Sequence, residues 1–147
     1  ATVASVGTYP AGITLDPATG SISVATGTAP GTYTLVYQLC VKLSPATCAT
    51  ALAIVTVSPS VIAVDDAGLA SAGAGGTAIP NVATNDIING VPAVLGLNAE
   101  VSPVGTYPSG ITLNTNTGSI SVATGTVPGT YTLVYQICDK LTAPTCA

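Results

Sequence analysis

The sequence has 147 residues, of which only 5% are charged, and its formal net charge at pH 7 is −4. Its only basic residues are Lys42 and Lys140, which excludes the clustered positive charge that nucleic acid or an anionic membrane surface requires. The mean hydropathy is high at +0.64, yet Thr, Ser, Pro and Gly interrupt every apolar stretch before the roughly 20 residues of a membrane-spanning helix are reached.

The first forty residues predict β-strands separated by turns. Residues 13–15 and 21–24 predict two short strands, and residues 16–20 between them have Pro and Gly where turns favour them. Residues 32–40 alternate over a longer stretch, which predicts a strand with one face directed at a core. Four side chains fall on that face: Tyr33, Leu35, Tyr37 and Leu39.

The pattern continues after a predicted loop at residues 42–47. Residues 50–57 are rich in β-branched side chains and predict another strand, and Ser-Pro-Ser at 58–60 predicts a domain boundary. Asn89-Gly90 between apolar runs is a hairpin signal. Because no stretch has the period of about 3.6 residues that an amphipathic helix shows, we expect an all-β protein with sandwich architecture.

An internal repeat sets the size of the folding unit. Residues 1–49 recur at 99–147 with an offset of 98 and no gap, and 36 of the 49 positions are identical. A period of this length is close to the ~100 residues of an immunoglobulin-like sandwich, so we expect tandem immunoglobulin-like (cadherin-like) domains. In this register residues 1–60 are the C-terminal half of one repeat, and residues 61–147 are the next repeat without its last strand.

A sandwich without its closing strand exposes an unpaired edge and apolar surface. We expect the missing strand to come from neighbouring sequence or from another copy of the chain, since strand donation is a known recognition mode. In the first repeat the closing, or donated, strand is the one at residues 50–57, and four of its residues define it: Thr50, Leu52, Ile54 and Thr56. The expected partners are therefore copies of the chain itself, in a fibre or a tandem array.

The four cysteines form two copies of one pattern, Cys40 with Cys48 and Cys138 with Cys146. Structural zinc is one alternative, but zinc sites usually take four Cys or His ligands with closer spacing, and the sequence has no His. A redox role would need a thiolate activated by a nearby cation. We expect two local disulfides, each across a strand–loop–strand hairpin, and an oxidising, extracellular compartment.

Five segments together match the motifs of one kind of repeat. Residues 9–24 (YPAGITLDPATGSISV) and 30–34 (PGTYT) resemble the hairpin and following strand of bacterial Ig-like, cadherin-like repeats. Residues 37–51, with 64–66 (VDD) and 81–90 (NVATNDIING), resemble the tandem repeats of very large surface proteins in gliding and other Bacteroidota. The resemblance covers nearly the whole chain, and it implies a secreted cell-surface filament or adhesin without naming a ligand.

Tyr33 and Tyr131 each follow Pro-Gly-Thr at the start of a predicted strand. This position suits a tyrosine corner, in which the hydroxyl bonds back to the backbone a few residues upstream. The alternative is an exposed aromatic that stacks on a sugar. Because the sequence has no Trp or Phe, Tyr is its only large aromatic residue, and we expect these side chains to pack.

Asp65, Asp66 and Asp86 lie near the start of the second repeat, and in cadherin-like arrays a calcium ion stiffens the linker at such a place. Calcium takes about six to eight oxygen ligands, among them carboxylates. The other interpretation is that these residues form turns and add solubilising charge. A structural calcium ion at these aspartates is thus a hypothesis, and no other cofactor is expected.

The sequence gives no support for catalysis. It has no His for general-base chemistry, and its carboxylates do not recur, since Asp16 is replaced by Asn114 and Asp139 by Val41 in the other copy. We expect a non-enzymatic structural module of an extracellular filament on a bacterial cell surface. The alternative is the spacer or stalk of a large adhesin that presents a ligand-binding tip elsewhere.

Overall fold

The computed structural model describes residues 1–43 and 47–147. Residues 44–46 of the predicted loop lie outside the described residues. The described chain consists of β-strands and turns without a helix, and its strands pair antiparallel. The all-β prediction is therefore confirmed, and the sheets are consistent with a β-sandwich. The chain divides into two compact units, residues 1–59 and residues 60–147.

The first unit is built on one long hairpin. Its strands are β1 (Thr2–Ser5), β2 (Ile13–Leu15), β3 (Ile22–Val24), β4 (Gly31–Cys40) and β5 (Cys48–Val57). β4 is the middle strand of a sheet in the order β1-β4-β5, and β2 pairs with β3 separately. β4 and β5 stay in register along their whole length, from Gly31 opposite Val57 to Cys40 opposite Cys48. β5 therefore pairs within its own chain and is the outer strand of its sheet.

The core of the first unit is small. Leu35 on β4 is 2% exposed and Ile13 on β2 is 3% exposed, and these two side chains are its buried apolar centre. Leu39 is 50% exposed, although the sequence pattern places it on the core face of β4. Its neighbours on the adjoining strands are the small side chains of Val3 and Ala49, which leave it uncovered.

The second unit contains the remaining strands. They are β6 (Val61–Ile62), β7 (Gly76–Ile79), β8 (Ile87–Ile88), β9 (Val91–Pro92), β10 (Ala99–Val104), β11 (Ile111–Leu113), β12 (Ile120–Val122) and β13 (Val134–Asp139). They form three sheets in the orders β6-β8-β9, β11-β12-β7 and β10-β13. The turn between β8 and β9 is the predicted Asn89-Gly90, and both residues have positive φ, 51° and 81°, as a two-residue hairpin of type I′ requires.

Side chains from all three sheets of the second unit meet in one core. Its fully buried members are Val82, Ala83, Ile88, Ala99, Val101, Ile111, Ile120 and Ile137. Three of them come from residues 60–98, which have no counterpart in the first unit. Each large aliphatic side chain removed from water contributes about 1.5–3 kcal/mol, so the second unit has much the stronger apolar stabilisation.

Residues 30–38 and 128–136 have identical sequences but different structures. In the first unit this segment belongs to β4 from Gly31 onward, whereas in the second unit the strand begins only at Val134. β4 has β1 on one side and β5 on the other, while β13 pairs with β10 alone among the described strands. Residues 129–133 therefore lie in no strand, and no described strand runs beside them. In the first unit β5 provides the hydrogen-bond partners of this segment.

We expect Gly110→Ala to cost more stability than the matched change Gly125→Ala. Both glycines have positive φ, +85° and +80°, so each alanine costs about 1–2 kcal/mol of backbone strain. A methyl group on Gly110 would also collide with the hydroxyl of Thr126, which donates to the carbonyl of Ala123 at 2.7 Å. At Gly125 nothing lies within 4 Å. We expect a further ~1–3 kcal/mol loss for Gly110→Ala in urea denaturation, and equal losses would contradict this packing.

Candidate functional site

The four cysteines close one hairpin in each unit. Cys40 is bonded to Cys48 and Cys138 to Cys146, and in each pair the Cα atoms are 4.1 Å apart. Each pair stands directly across two antiparallel segments, so the bond lies where the hairpin opens into its loop. The predicted disulfides are confirmed. With every cysteine bonded, none is left to bind zinc.

The second hairpin contains a buried carboxylate that sequence reasoning missed. Asp139 is 1% exposed, and its Oδ1 accepts hydrogen bonds from the N–H groups of Thr145 at 3.0 Å and Leu141 at 3.3 Å. Its Oδ2 has no hydrogen-bond partner in the described part of the chain. The buried side chain of Asp139 thus binds the backbone at both ends of the loop after β13. The only sequence signal is the difference from Val41 in the other copy, and such a difference does not indicate burial.

The two predicted tyrosine-corner residues make equivalent hydrogen bonds. The hydroxyl of Tyr33 donates to the carbonyl of Ala29, and that of Tyr131 to the carbonyl of Val127, each at 2.6 Å and four residues upstream. This is the kind of bond that a tyrosine corner makes. Tyr131 is nevertheless 38% exposed, so its hydroxyl holds it in place more than burial does.

A second pair of tyrosines repeats in the same way. Tyr9 donates to the carbonyl of Val36, and Tyr107 to the carbonyl of Val134, each at 3.0 Å. Each bond joins the loop after β1 or β10 to the strand that carries the first cysteine of its pair, β4 or β13. Sequence reasoning did not single these residues out, although their recurrence at the same position in both copies was a usable signal.

Tyr135 is the centre of a polar cluster in the second unit. Its hydroxyl lies 3.1 Å from Oδ2 of Asp66 and 3.3 Å from Oδ2 of Asp86. The carbonyl oxygens of Val82 and Val64 lie 3.3 and 3.4 Å from the same hydroxyl. A tyrosine has one hydrogen to donate, so four acceptors share it. Two of the three predicted carboxylates are thus brought together by a tyrosine that the sequence did not connect with them.

Asp86 is the most buried acid of this cluster. Its side chain is 0% exposed, and its Oδ1 accepts a hydrogen bond from the N–H of Val64 at 2.8 Å. Burial raises the pKa of Asp86, and the negative charge of Asp66 adds to the rise, while the bonds from Val64 and Tyr135 oppose it. Burial and the same two carboxylates also raise the pKa of Tyr135. The cluster therefore favours protonated groups at its centre.

This cluster does not fit a calcium site as it stands. The side chain of Asp65 is exposed and makes no hydrogen bond to the cluster in the described residues. Two carboxylates and two carbonyls surround the Tyr135 hydroxyl, which is fewer than the about six to eight oxygen ligands that calcium takes. No three His, Cys, Asp or Glu side chains within residues 1–43 and 47–147 are grouped to hold a metal ion. Calcium at these aspartates stays a prediction.

A cavity of about 640 Å³ lies beside the segment of the second unit that forms no strand. Core side chains such as Ile79, Ile111 and Ile120 line its wall, and Tyr131 and Leu133 line it from the unpaired segment. Asp66 and Tyr135 of the polar cluster also reach it. The cavity therefore reaches from the apolar core to Leu133 and to Tyr135 on β13.

The structure places the predicted closing strand in the first unit, where it is β5. Thr50, Leu52, Ile54 and Thr56 all lie on one face of β5, and all are exposed. Leu52 is 64% and Ile54 71% exposed, which is high for large aliphatic residues within a strand. The opposite face, with Ala53 and Val55, stands across from Leu35 and Tyr33 of β4 and is half-buried.

No protein-family model matches this sequence, and no curated protein matches it either. In the part of the chain that the structure describes, no helix has the length and apolar character to cross a membrane. Because these comparisons found no relative, the interpretation of the disulfides and the polar cluster depends on the geometry of this chain itself.

Removing one disulfide should destabilise its own unit only. Cys138→Ser with Cys146→Ser removes a link between residues 8 apart in sequence, which the chain-entropy model values at about 2–3 kcal/mol. The matched control is Cys40→Ser with Cys48→Ser, for which we expect the loss in the first unit. Amide NMR signals of each unit, followed through a denaturant titration, measure both free energies. A loss of stability in both units of either variant would argue against independent stabilisation of each unit by its own disulfide.

The raised pKa of Asp86 predicts a pH dependence of the second unit. The folded unit holds this proton more tightly than the unfolded chain does, where the carboxyl has its ordinary pKa of 3.8. The stabilisation that the Asp86 proton provides is therefore fully present below pH 3.8, and it is lost as the pH rises through the pKa of Asp86 in the folded unit. We expect Asp86→Asn to remove this fall, which begins as the pH rises above 3.8, with Asp66 and Tyr135 unchanged. Thermal unfolding in both proteins measures it, and an identical slope would refute the assignment.

The calcium hypothesis makes a separate prediction. If an ion binds at Asp66 and Asp86, a chelator lowers the melting temperature of the second unit, and Asp66→Asn abolishes that shift because it removes a ligand charge. Asp16→Asn is the matched control, since Asp16 is an exposed turn residue of the first unit. A melting temperature that chelator leaves unchanged rules out the ion.

Proposed function

We propose that this chain is a structural repeat module of a secreted filament on a bacterial cell surface. Its domains are immunoglobulin-like (cadherin-like) sandwiches with a period of 98 residues, stapled by disulfides and joined head to tail or by strand complementation. One observation carries the proposal: both units close the same hairpin with a disulfide of the same spacing. Repetition of a stable scaffold provides length, as in other arrays of stacked repeats.

The disulfides support the location. Structural disulfides form and persist in oxidising, extracellular compartments and are rare in the cytosol. Each of the two disulfides lies at the loop end of a hairpin. A pull on the strands therefore cannot open the hairpin from its loop, which suits a protein that carries mechanical load.

The polar groups support a non-enzymatic role. The cluster around Tyr135 depends on Asp66 and Asp86, which lie in residues 60–98 and have no counterpart in the first unit. Tyr37 is the equivalent of Tyr135 in the first copy, and no side-chain hydrogen bond joins it to an acid among the described residues. What the two copies share is the disulfide and the tyrosine bonds to the backbone, and these stabilise the fold.

The location and arrangement can be tested on cells that make the protein. Antibodies raised against the oxidised chain, used for immunogold electron microscopy on intact cells, should label extracellular filaments at regular intervals along their length. Pre-absorption of the antibody with the chain is the control. Label confined to the base of a stalk with a distinct tip would favour the adhesin spacer. Label seen only inside lysed cells would refute both.

A further inference from the structure

We propose that Tyr135 is a proton-controlled switch, which holds Asp66 while Asp86 is protonated and releases it once Asp86 is ionised. Release of Asp66 frees residues 65–70, which follow β6, from the body of the second unit. Three side chains form the switch, and they lie on the segment after β6, directly before β8 and on β13. The switch goes beyond the proposed function, since it acts within one unit whether or not the chain is part of a filament.

The cluster has one hydrogen too few when both carboxyl groups are ionised. The hydroxyl of Tyr135 lies 3.1 Å from Oδ2 of Asp66 and 3.3 Å from Oδ2 of Asp86. A hydroxyl has a single hydrogen to donate, so it satisfies one of the two negative oxygens at a time. The other carboxylate then faces a like charge without a donor, which disfavours its ionised form.

One proton on Asp86 resolves this conflict. A protonated Oδ2 of Asp86 donates to the oxygen of Tyr135, and the hydrogen of Tyr135 is then directed to Oδ2 of Asp66. The carbonyls of Val64 and Val82 lie 3.4 and 3.3 Å from the same hydroxyl, but a hydrogen bond to an ionised acceptor is roughly twice as strong as one to a neutral acceptor. The three side chains thus form a chain in which each donor has an acceptor.

Asp86 takes the proton because it is the more deeply buried of the two acids. Its side chain is 0% exposed, whereas that of Asp66 is half-buried. Burial favours the neutral form of a carboxyl group, and it raises the pKa of Asp86, with a further contribution from the charge of Asp66. The pKa of Tyr135 is raised as well, so its hydroxyl keeps its hydrogen while Asp86 titrates.

Few other charged groups act on this arrangement. Asp66 on the segment after β6 and Tyr135 on β13 are the titratable groups that act on Asp86 in the described chain, and no cation of the described residues is among them. Asp65 is the neighbour of Asp66 in sequence, but its side chain is exposed and makes no hydrogen bond to the cluster within residues 1–43 and 47–147. The protonation of Asp86 therefore depends on pH and on Asp66.

Ionisation of Asp86 moves the hydrogen of Tyr135 from one carboxylate to the other. Asp86 stays in place, because it is buried and its Oδ1 accepts a hydrogen bond from the N–H of Val64 at 2.8 Å. Asp66 is only half-buried, so it can turn towards water and escape the repulsion. The hydroxyl of Tyr135 then donates to Asp86, and Asp66 is the group that departs.

Asp66 anchors the segment that follows it. Within the described residues, the one hydrogen bond to its side chain comes from Tyr135. Two residues further on, Gly68 lies so close to β7 that a methyl group in its place would collide with the carbonyl of Ala78 and the side chain of Ile79. Departure of Asp66 draws the backbone at Gly68 away from β7, while the bond between Val64 and Asp86 keeps the start of the segment in place.

A pH titration of the oxidised wild-type chain, followed by NMR spectroscopy, tests the switch. Below the midpoint of Asp86 we expect a nuclear Overhauser contact between Gly68 and Ile79, and this contact should disappear as the carboxyl ¹³C signal of Asp86 titrates. The carboxyl signal of Asp66 should shift in the same step, because Asp66 loses its donor. The ratio of open to closed segment should rise about tenfold or more, as for a lost hydrogen bond to a charged group. A chelator in all samples excludes bound cations.

Asp86→Asn should lock the switch in its closed state. The side-chain NH₂ of the asparagine donates to Tyr135 at every pH, as protonated Asp86 does, and its carbonyl still accepts from Val64. We therefore expect the contact between Gly68 and Ile79 to persist through the whole titration. Tyr135→Phe keeps the ring and removes the hydroxyl, so the contact should be weak at every pH.

A matched pair of variants separates the switch from a general effect of charge. Asp66→Asn removes the repelled carboxylate, and the contact between Gly68 and Ile79 should then no longer change with pH. Asp65→Asn makes the same chemical change one residue earlier, at a side chain that is exposed. It should keep the pH response of the wild type.

Four results would overturn the switch. They are a wild-type contact between Gly68 and Ile79 that persists while Asp86 titrates, a pH response that survives in Asp86→Asn, a contact that is absent in Asp86→Asn at every pH, and a response that Asp65→Asn abolishes as fully as Asp66→Asn does. If Tyr135→Phe does not fold, the wild type and the Asp86 variant still decide. Extracellular labelling of filaments is unaffected by any of these results, so the proposed function stands or falls separately.

Discussion

Every backbone N–H and C=O on a strand needs a hydrogen-bond partner, and the pairing of β4 with β5 is where this protein meets that need most fully. Along ten register pairs the backbone groups that face each other across the two strands are satisfied, and the Cys40–Cys48 disulfide fixes the end of the pair. The same sequence without that partner is strand only from Val134. The chain thus shows the same nine residues with β5 beside them in one unit and with no described strand on that side in the other.

The tyrosine hydrogen bonds that recur in both copies serve this hairpin. Tyr9 and Tyr107 bind the carbonyls of the strand that carries the cysteine, and Tyr33 and Tyr131 bind the loop before it. With no Trp or Phe available, tyrosine provides both bulk and a hydroxyl that can reach the backbone. Hydrogen bonds and a disulfide therefore hold the fold together as much as the core does. In the first unit that core centres on Leu35 and Ile13.

Much of the strand pattern followed from the sequence, because alternation and turn residues are local signals. The strands at residues 13–15 and 50–57, the Asn89-Gly90 turn and both disulfides could be read in this way. Burial was harder to predict, since it depends on what neighbouring strands supply. Leu39 has the right periodicity for the core and yet is half-exposed beside Val3 and Ala49. Periodicity gives the face of a strand but does not say whether that face is covered.

The polar cluster shows a second limit. Asp65, Asp66 and Asp86 were predicted together as calcium ligands near a linker, but the group that joins Asp66 to Asp86, Tyr135, lies about 50 to 70 residues further along the chain. Long-range contacts of this kind have no local pattern. The buried Asp139 was missed because its environment is set by the loop that it closes.

The central claim is that pairing with β5 holds the shared nine-residue segment as a strand in the first unit. Hydrogen exchange at the amides of Tyr33 and Leu35, compared with those of Tyr131 and Leu133, tests it most directly. We expect protection at Tyr33 and Leu35 and fast exchange at Tyr131 and Leu133, which precede β13 and lie in no strand. Equal protection of the two pairs of amides would contradict the claim.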